Sequence, residues 1–235
     1  MPNLTFTKPT LCLLSALTLA AVSPLVHSEP YSVGATFGST GMGVNVSGTT
    51  DWHFSDQDQL QWRVVVAGLS GEGDIDENIN EIEYQNLDIS LSSIQGGLDW
   101  YAFQEGWKHQ LFFSGGLMYW DFDIEADADT NRAMTVGGKN LAQGSLSSLT
   151  TEIEGNYALP YVSMGWGNRL DGEGGFHFFG EFGFAVPTGD VDAQVSVVDP
   201  NGLLTAEDLR QEEREIEDEM GDVQGFVTLS VAYQF

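Results

Sequence analysis

The end of the chain alternates apolar and polar side chains up to its last residue, and this pattern constrains the fold more than any other feature. One parity is apolar: Val223, Val227, Leu229, Val231, Tyr233 and Phe235. Apart from Phe226, the other parity is polar or small: Gln224, Thr228, Ser230, Ala232 and Gln234. Successive side chains of a strand point to opposite faces, so this segment is predicted to be a β-strand with one apolar face. The pattern recurs over 111–119 and 176–186.

The composition supports a folded β protein and excludes one class of partner. Hydrophobic residues make up 42% of the chain and aromatic residues 11%, which is too apolar for a disordered chain and favours strands. The 35 acidic residues oppose 8 basic ones, for a net charge of −27. Binding to phosphates needs clustered Lys and Arg, so we expect no nucleic-acid partner.

The N-terminus has the features of a secretory signal peptide over residues 1–28, cleaved before Glu29. Met1–Lys8 carries one positive charge, and the apolar run Leu11–Val22 is shorter than the about 20 residues that a spanning helix needs. Cys12 lies inside this run and is the single cysteine of the chain. The mature chain is therefore expected to contain no disulfide and no cysteine-ligated metal.

The spacing of the alternating segments predicts the architecture. Strands are predicted near 31–38, 41–52, 60–69, 84–103, 108–122, 157–168, 176–190 and 223–235. Short connections (Ser55–Gln59, Gln104–Trp107, Arg169–Gly175) alternate with long ones (Ser70–Glu83, Asp123–Asn156, Val191–Asp222). This is typical of outer-membrane barrels, so residues 29–235 are predicted to form an all-β, eight-stranded antiparallel transmembrane β-barrel with one short helix in the last long loop. A soluble periplasmic β-sandwich is the alternative fold.

The connection Ser39–Thr40 is too short for a typical external loop. The apolar parity changes there, between Val33 and Phe37 on one side and Val44 on the other. A turn between two strands explains the change, and one long bulged strand is the competing interpretation.

The terminal segment Val227–Phe235 resembles the signal by which bacterial outer-membrane proteins are recognised for assembly. Together with the signal peptide, it makes the chain similar to the small eight-stranded barrels of the OmpA and OmpW type. The stretch Pro160–Asn168 is similar to one in uncharacterised proteobacterial barrels, whose loop before the last strand is also acidic and helical.

The resemblance implies the outer membrane of a Gram-negative bacterium, with long loops external and both termini periplasmic. The expected partners are outer-membrane lipid, the barrel assembly machinery and periplasmic chaperones. It also implies an assembly signal at Leu229, Val231, Tyr233 and Phe235.

An eight-stranded barrel has a lumen just wide enough for side chains to fill, with aromatic girdles at the two membrane interfaces. Aromatic residues near predicted periplasmic strand ends are Trp52, Phe54, Trp100, Tyr101, Trp107, Tyr233 and Phe235. Those near predicted external ends are Tyr84, Tyr119, Trp120 and Tyr157.

Three ionisable residues fall on the lumen-facing parity of predicted strands: Arg63, Asp99 and Glu181. Buried charges are tolerated when they are paired, so these residues are predicted to form a lumen charge network that plugs the barrel. A gate or a proton path is the functional alternative.

The acidic residues Asp121, Asp123, Glu125 and Asp127 alternate where the fifth strand leaves the predicted membrane. Their oxygen atoms suit a divalent cation such as Ca²⁺ or Mg²⁺, but the glycine and the downstream glutamate of a calcium loop are missing. A solvated acidic extension is the favoured interpretation, and a cation site shared with Asp74, Asp76 and Glu77 is the alternative.

The last long loop carries a helix signal. Thr205 and Asp208 resemble a capping box, and Ala206–Met220 contains neither Gly nor Pro. Leu209 and Ile216 contribute to a thin apolar stripe on an otherwise acidic helix, which favours a lid that docks over the barrel mouth.

No motif indicates catalysis or a cofactor, and we expect neither. The mature histidines His53, His109 and His177 fall at predicted periplasmic turns or strand starts, away from the outer leaflet where lipid chemistry would take place. The sequence thus predicts a barrel with a structural, surface-exposed or limited small-solute passage role. The alternatives are a surface adhesin or receptor that acts through acidic external loops, and a lipid-modifying enzyme.

Overall fold

The computed structural model describes residues 30–55, 58–79, 82–221 and 223–235, without the side chains of 74–79, 83 and 85. The predicted signal peptide lies outside the described residues. The strands are β1 Tyr31–Gly38, β2 Gly41–Thr49, β3 Gln59–Ile79, β4 Ile82–Tyr101, β5 Leu111–Ala128, β6 Met134–Val136, β7 Lys139–Leu141, β8 Ser148–Gly167, β9 Gly175–Ala185, β10 Val191–Val198 and β11 Gln224–Gln234. Helix α1 spans Ala206–Met220, and a 3₁₀ turn spans Gly106–Gln110.

Eight strands close into an antiparallel barrel, which confirms the predicted fold class. The ring order is β1-β2-β3-β4-β5-β8-β9-β11, and the ring closes because β11 pairs with both β1 and β9. Tyr233 of β11 lies opposite Val33 on one side and Phe176 on the other. Strand β10 lies outside the ring and pairs with the first half of β8.

The two ends of the barrel differ. The turn end holds the start of β1, the end of β11 and the connections after β2, β4 and β8. The loop end holds the connections after β1, β3, β5 and β9, together with α1. Strands β1 and β2 are joined there by Ser39–Thr40, with Gly38 opposite Gly41 and a φ of 100° at Gly41 that favours glycine. The parity change therefore marks a turn between two strands.

Two of the predicted long loops are largely strand. Strands β3 and β4 continue to Ile79 and Ile82, within the predicted loop Ser70–Glu83. Strand β5 continues to Ala128 and strand β8 begins at Ser148, so these two strands together with β6 and β7 make most of the predicted loop Asp123–Asn156 strand as well. The predicted boundaries of both loops, next to acidic residues, were therefore wrong. Alternation continues past them, and a ladder of backbone hydrogen bonds continues with it.

The outer wall changes character along each long strand. On β5 the outward residues are first apolar, such as Leu117 and Tyr119, and then acidic, such as Asp121 and Asp123. On β8 the order is mirrored, because this strand runs the opposite way. The barrel is therefore encircled by an apolar belt toward the turn end, with an acidic sheet face above it.

Four of the predicted girdle residues are inside the barrel instead. Tyr84, Tyr101 and Tyr157 are 5%, 0% and 5% exposed, and Trp120 packs against the interior core. Tyr101 follows the outward Trp100 in a strand, so the two rings must face opposite ways. By contrast, the outward aromatic residues Trp100, Tyr119, Tyr233 and Phe235 are exposed on the wall.

The interior has two zones. Toward the turn end it is a polar lumen, with buried residues such as Ser47, Arg63 and Glu181. Toward the loop end it is an apolar core that includes Met118 and Leu159.

Helix α1 covers the apolar core. Its start is the predicted capping box, since the Asp208 N–H donates to Thr205 Oγ1 and the Thr205 N–H donates to Asp208 Oδ2 at 2.6 Å. Ile216 is buried in the core, with Leu209 and Met220 packed beside it. No helix in the described part of the chain is long and apolar enough to cross a membrane.

The closing strand should be required for assembly. Its outward aromatic residues pack on both neighbouring strands, with ring centroids 4.9 Å apart for Tyr31 and Phe235 and 5.1 Å apart for Phe176 and Tyr233. Changing Tyr233 and Phe235 together to Asp places two charges on the apolar belt, and we expect the heat-modifiable barrel to disappear from SDS gels of membranes. Val223→Asp, at an exposed site before β11, is the control. Normal recovery of the double variant would contradict the prediction.

Candidate functional site in the barrel lumen

The candidate site is a buried charge network in the polar lumen. Arg63 lies on β3, Asp99 on the neighbouring β4, and Glu181 on β9 across the ring. Each of the three is 2–3% exposed. Their strands turn these positions inward because the adjacent residues, such as Trp62, Leu98 and Phe182, face outward on the apolar belt.

Arg63 bridges the two carboxylates. Its Nη2 donates to Asp99 Oδ1 at 3.1 Å, and its Nε lies 3.0 Å from Asp99 Oδ2 as an ionic contact that lacks hydrogen-bond geometry. Its Nη1 donates to Glu181 Oε2 at 2.5 Å, and the remaining Glu181 oxygen accepts from Ser163 Oγ at 2.5 Å. The structure thus brings together all three residues of the predicted network.

Two aromatic rings hold the guanidinium group from its sides. The Arg63 Cζ atom lies 5.4 Å from the ring centre of Phe112 and 5.5 Å from that of Phe179. Both distances suit cation–π attraction, which strengthens where water is excluded. The guanidinium therefore has one favoured position, fixed by two carboxylates and two rings.

A glycine makes room for one more polar contact. Gly97 lies opposite Arg63 in the ladder, and a Cβ atom there would be 2.1 Å from the Tyr161 hydroxyl. That hydroxyl is 3.3 Å from Ser114 Oγ of β5, so the Tyr161 side chain extends from β8 over β5 to β4, where position 97 has no side chain to block it.

The lumen is closed beyond the network on both sides. At the turn end, Leu170 is buried, and Arg169 Nη1 donates to the carbonyls of Phe103 and His109 at 2.6 and 3.1 Å. At the loop end, Met118 and Leu159 begin the apolar core. The network thus lies between two further layers that exclude water.

The aromatic rings around Arg63 are the part of the site that sequence reasoning missed. The available signal was a doubled aromatic residue, at Phe112-Phe113 and again at Phe178-Phe179. Because neighbours in a strand face opposite ways, each doublet must place one ring in the lumen.

The predicted cation ligands lie on the outer face of the sheet. Asp121, Asp123 and Glu125 are exposed there, and Asp127 accepts a hydrogen bond from Thr150 Oγ1 at 2.7 Å. Among the described residues, the acids whose oxygens lie within 4.8 Å of one another are Asp123, Glu152 and Glu154, all exposed. A solvated acidic extension stays the prediction for these exposed residues, and a divalent-cation site stays the alternative. The side chains of Asp74, Asp76 and Glu77 lie outside the described residues.

The three histidines in the described part of the chain lie at the turn end, whereas α1 lies at the loop end. His53 follows β2, His109 belongs to the 3₁₀ turn, and His177 begins β9. The His53 Nδ1 atom is 3.2 Å from the Asp58 carbonyl oxygen, a contact that shapes the turn.

The fold has relatives among solved structures. No protein-family model and no curated protein matches this sequence. The crystal structure of Acinetobacter baumannii CarO is similar with a TM-score of 0.59 and 19% identity, over 87% of this chain and 97% of that chain. The structure of A. baumannii CarO2 gives a TM-score of 0.61 and 18% identity, over 88% and 100% of the two chains. At such identities the likeness supports the fold alone.

Breaking the charge network should destabilise the barrel. Arg63→Ala would leave two carboxylates buried without their partner, which costs about 3–5 kcal/mol for a buried pair. We therefore expect the variant to lose its SDS-resistant form at a lower temperature than the native protein. Arg132→Ala, which removes an exposed arginine, should change stability by about 0–1 kcal/mol.

A triple variant separates lost pairing from lost packing. Combining Arg63→Met with Asp99→Asn and Glu181→Gln leaves no charge in the network, so much of the lost stability should return. An Arg63→Leu barrel that melts above the native one would show that the network is not stabilising.

Proposed function

We propose that the protein is an outer-membrane barrel with a closed lumen, and that its role is structural or surface-exposed rather than the passage of solutes. The observation that carries this proposal is the Arg63 network, whose three charged residues fill the lumen at the level of the apolar belt. An open pore would need water where the network and its rings lie.

The apolar belt supports a membrane location. Outward residues such as Val66, Ile94 and Leu117 are 45%, 53% and 62% exposed. A soluble protein rarely exposes so many apolar side chains in one continuous band, whereas hydrocarbon would cover them. A closed barrel also leaves no unpaired strand edge within that band.

The proposed orientation places the loop end outside the cell and the turn end in the periplasm. Short turns face the periplasm and longer loops face outward in barrels of this class. The expected partners follow from this location: outer-membrane lipid, the barrel assembly machinery and periplasmic chaperones. The outward residues Leu229, Val231, Tyr233 and Phe235 remain the proposed assembly signal.

One observation favours a second candidate, a surface receptor or adhesin. Glu72, Asp88, Glu125 and Glu152 lie directly opposite one another on four neighbouring strands, and all are exposed. Like charges directly opposite one another repel. Cationic groups on a partner, or divalent cations, would reduce the repulsion among these four carboxylates. Catalysis, in particular lipid modification, is the least favoured role, since the histidines lie at the opposite end from this face.

Conductance separates a closed barrel from a channel. The purified, heat-modifiable protein should give no stable current steps in a planar bilayer, under conditions in which an open porin conducts. Arg63→Ala should also remain silent, because the apolar core forms a second barrier. Discrete steps from the native protein would support solute passage instead.

Surface labelling tests the orientation. Glu215→Cys in α1 and Glu173→Cys between β8 and β9 place thiols at opposite, exposed ends of the barrel. A membrane-impermeant maleimide should label the first on intact cells and the second only after the outer membrane is permeabilised. The reverse order would show that the proposed topology is inverted.

A further inference from the structure

Helix α1 docks on the loop end largely through its own carboxylates. Asp208 and Glu212, one turn apart, face the small hairpin β6–β7, and Glu213 and Glu217, also one turn apart, face strand β10. Ile216 packs into the apolar core between these two rows. This explains why so acidic a helix docks with so thin an apolar stripe.

The carboxylates facing β10 cover the edge of a sheet. Glu213 Oε1 accepts from the Val195 N–H at 3.2 Å, and Glu217 Oε1 accepts from the Ala193 N–H at 3.4 Å. Strand β10 ends the sheet on this side, so these amides would otherwise have no strand partner. Opening of the helix therefore exposes a strand edge as well as the core.

Glu212 differs from the other docking carboxylates because it is buried. It is 2% exposed, and its Oε2 accepts from the Gly137 N–H at 2.7 Å. Its other oxygen, Oε1, is buried and has no hydrogen-bond partner. An ionised carboxylate in this position loses its hydration without gaining a counter-ion, which disfavours the docked state.

The ionisable groups around Glu212 do not offset its charge. On α1, Glu215 adds repulsion, and Asp208 is bound to Lys139 of β7 at 2.5 Å, so this lysine is already engaged. From β4, the phenol of Tyr84 is the facing group, and phenols are neutral between pH 5 and 8. Burial, with a smaller contribution from Glu215, raises the pKa of Glu212, whereas the Gly137 hydrogen bond acts the other way.

We propose that Glu212 is a proton-binding site that controls the closure of α1, with the helix docking more tightly when this carboxyl is protonated. The inference needs only the docked helix and does not rest on the proposed function. The neutral carboxyl keeps an oxygen to accept from Gly137 and avoids burying a charge. Mild acid then closes the loop end and a higher pH loosens it.

The sign of the effect follows from linkage. A carboxyl with a raised pKa in the closed state binds a proton more tightly when closed than when open. Between the open-state and closed-state pKa values, the opening equilibrium therefore increases with pH, by up to about tenfold per pH unit for one proton. Asp208 does not titrate in this range, because its bonds to Lys139 and Thr205 lower its pKa to about 2.

The test measures helix opening by thiol accessibility. Ile216→Cys, in a chain that also carries Cys12→Ser, places one buried thiol under the helix. We measure its rate of reaction with a water-soluble thiol reagent and divide it by the rate for Leu203→Cys, which lies at an exposed site. Thiol ionisation affects both rates, so their ratio reports the opening of the helix. We expect this ratio to rise several-fold from pH 5.5 to pH 8.

Two further substitutions identify the group responsible. Adding Glu212→Gln, which keeps an oxygen for Gly137, should flatten the pH dependence and lower the ratio at pH 8. Adding Glu219→Gln, at an exposed site on the same helix, should leave the pH dependence in place. A flat profile in the Glu212-containing protein, or an unchanged profile after Glu212→Gln, would overturn the proposal. So would looser docking of Glu212→Gln at every pH, because that result indicates a merely structural carboxylate.

Hydrogen exchange provides a second measurement if Ile216→Cys does not fold. The protection factor of the Val195 amide, which is bonded to Glu213, reports the same opening in a protein with Ile216 intact. It should fall as the pH rises in the native chain and stay constant in Glu212→Gln. Identical profiles in the two proteins would overturn the proposal.

Discussion

Closure of the backbone hydrogen-bond ladder is the constraint on which the rest of this structure depends. Strands β1 and β11, the first and last strands of the chain as described, complete the ring through seven consecutive residue pairs, from Ser32 opposite Gln234 to Gly38 opposite Thr228. Without that seam, both strands would present unpaired amides and carbonyls within the apolar belt. Closure also creates a confined interior. The polar groups in that interior must then find their hydrogen-bond and ion-pair partners within the protein itself.

The side chains that face inward and outward change in character along the length of the strands. Within the belt, β5 places Phe113 outward and Ser114 inward, and β3 places Trp62 outward and Arg63 inward. Above the belt the pattern is inverted, with Asp121 outward and Phe122 inward. The proposed membrane location gives the reason: hydrocarbon around the belt would require apolar outward groups, while water above it accepts charged ones and leaves the apolar groups to form a core.

The two interior zones close the barrel by different interactions. In the polar lumen, two carboxylates and two aromatic rings contact Arg63. Its guanidinium group is therefore fixed by the positions of these four neighbours as well as by charge attraction. In the apolar core, closure is by packing, completed by Ile216 of α1. The helix in turn depends on carboxylates that accept from backbone amides of β6–β7 and β10. An acidic composition that looks unfavourable in the sequence thus becomes a set of hydrogen-bond acceptors.

The sequence by itself determined the eight strands of the ring, the start and end of α1 and the inward parity of Arg63, Asp99 and Glu181, because each follows from local periodicity or capping. It left two interpretations of Ser39–Thr40, a turn or a bulge, and the pairing of Gly38 with Gly41 decided for the turn. The tertiary structure alone decided where the strands end, since pairing with a neighbour continues past the acidic residues near Asp123. It also decided that Phe112 and Phe179 flank Arg63 and that Glu212 is buried. These contacts join residues far apart in the chain, and their geometry depends on the stagger of the closed ring and the docking of the helix, which no local pattern encodes.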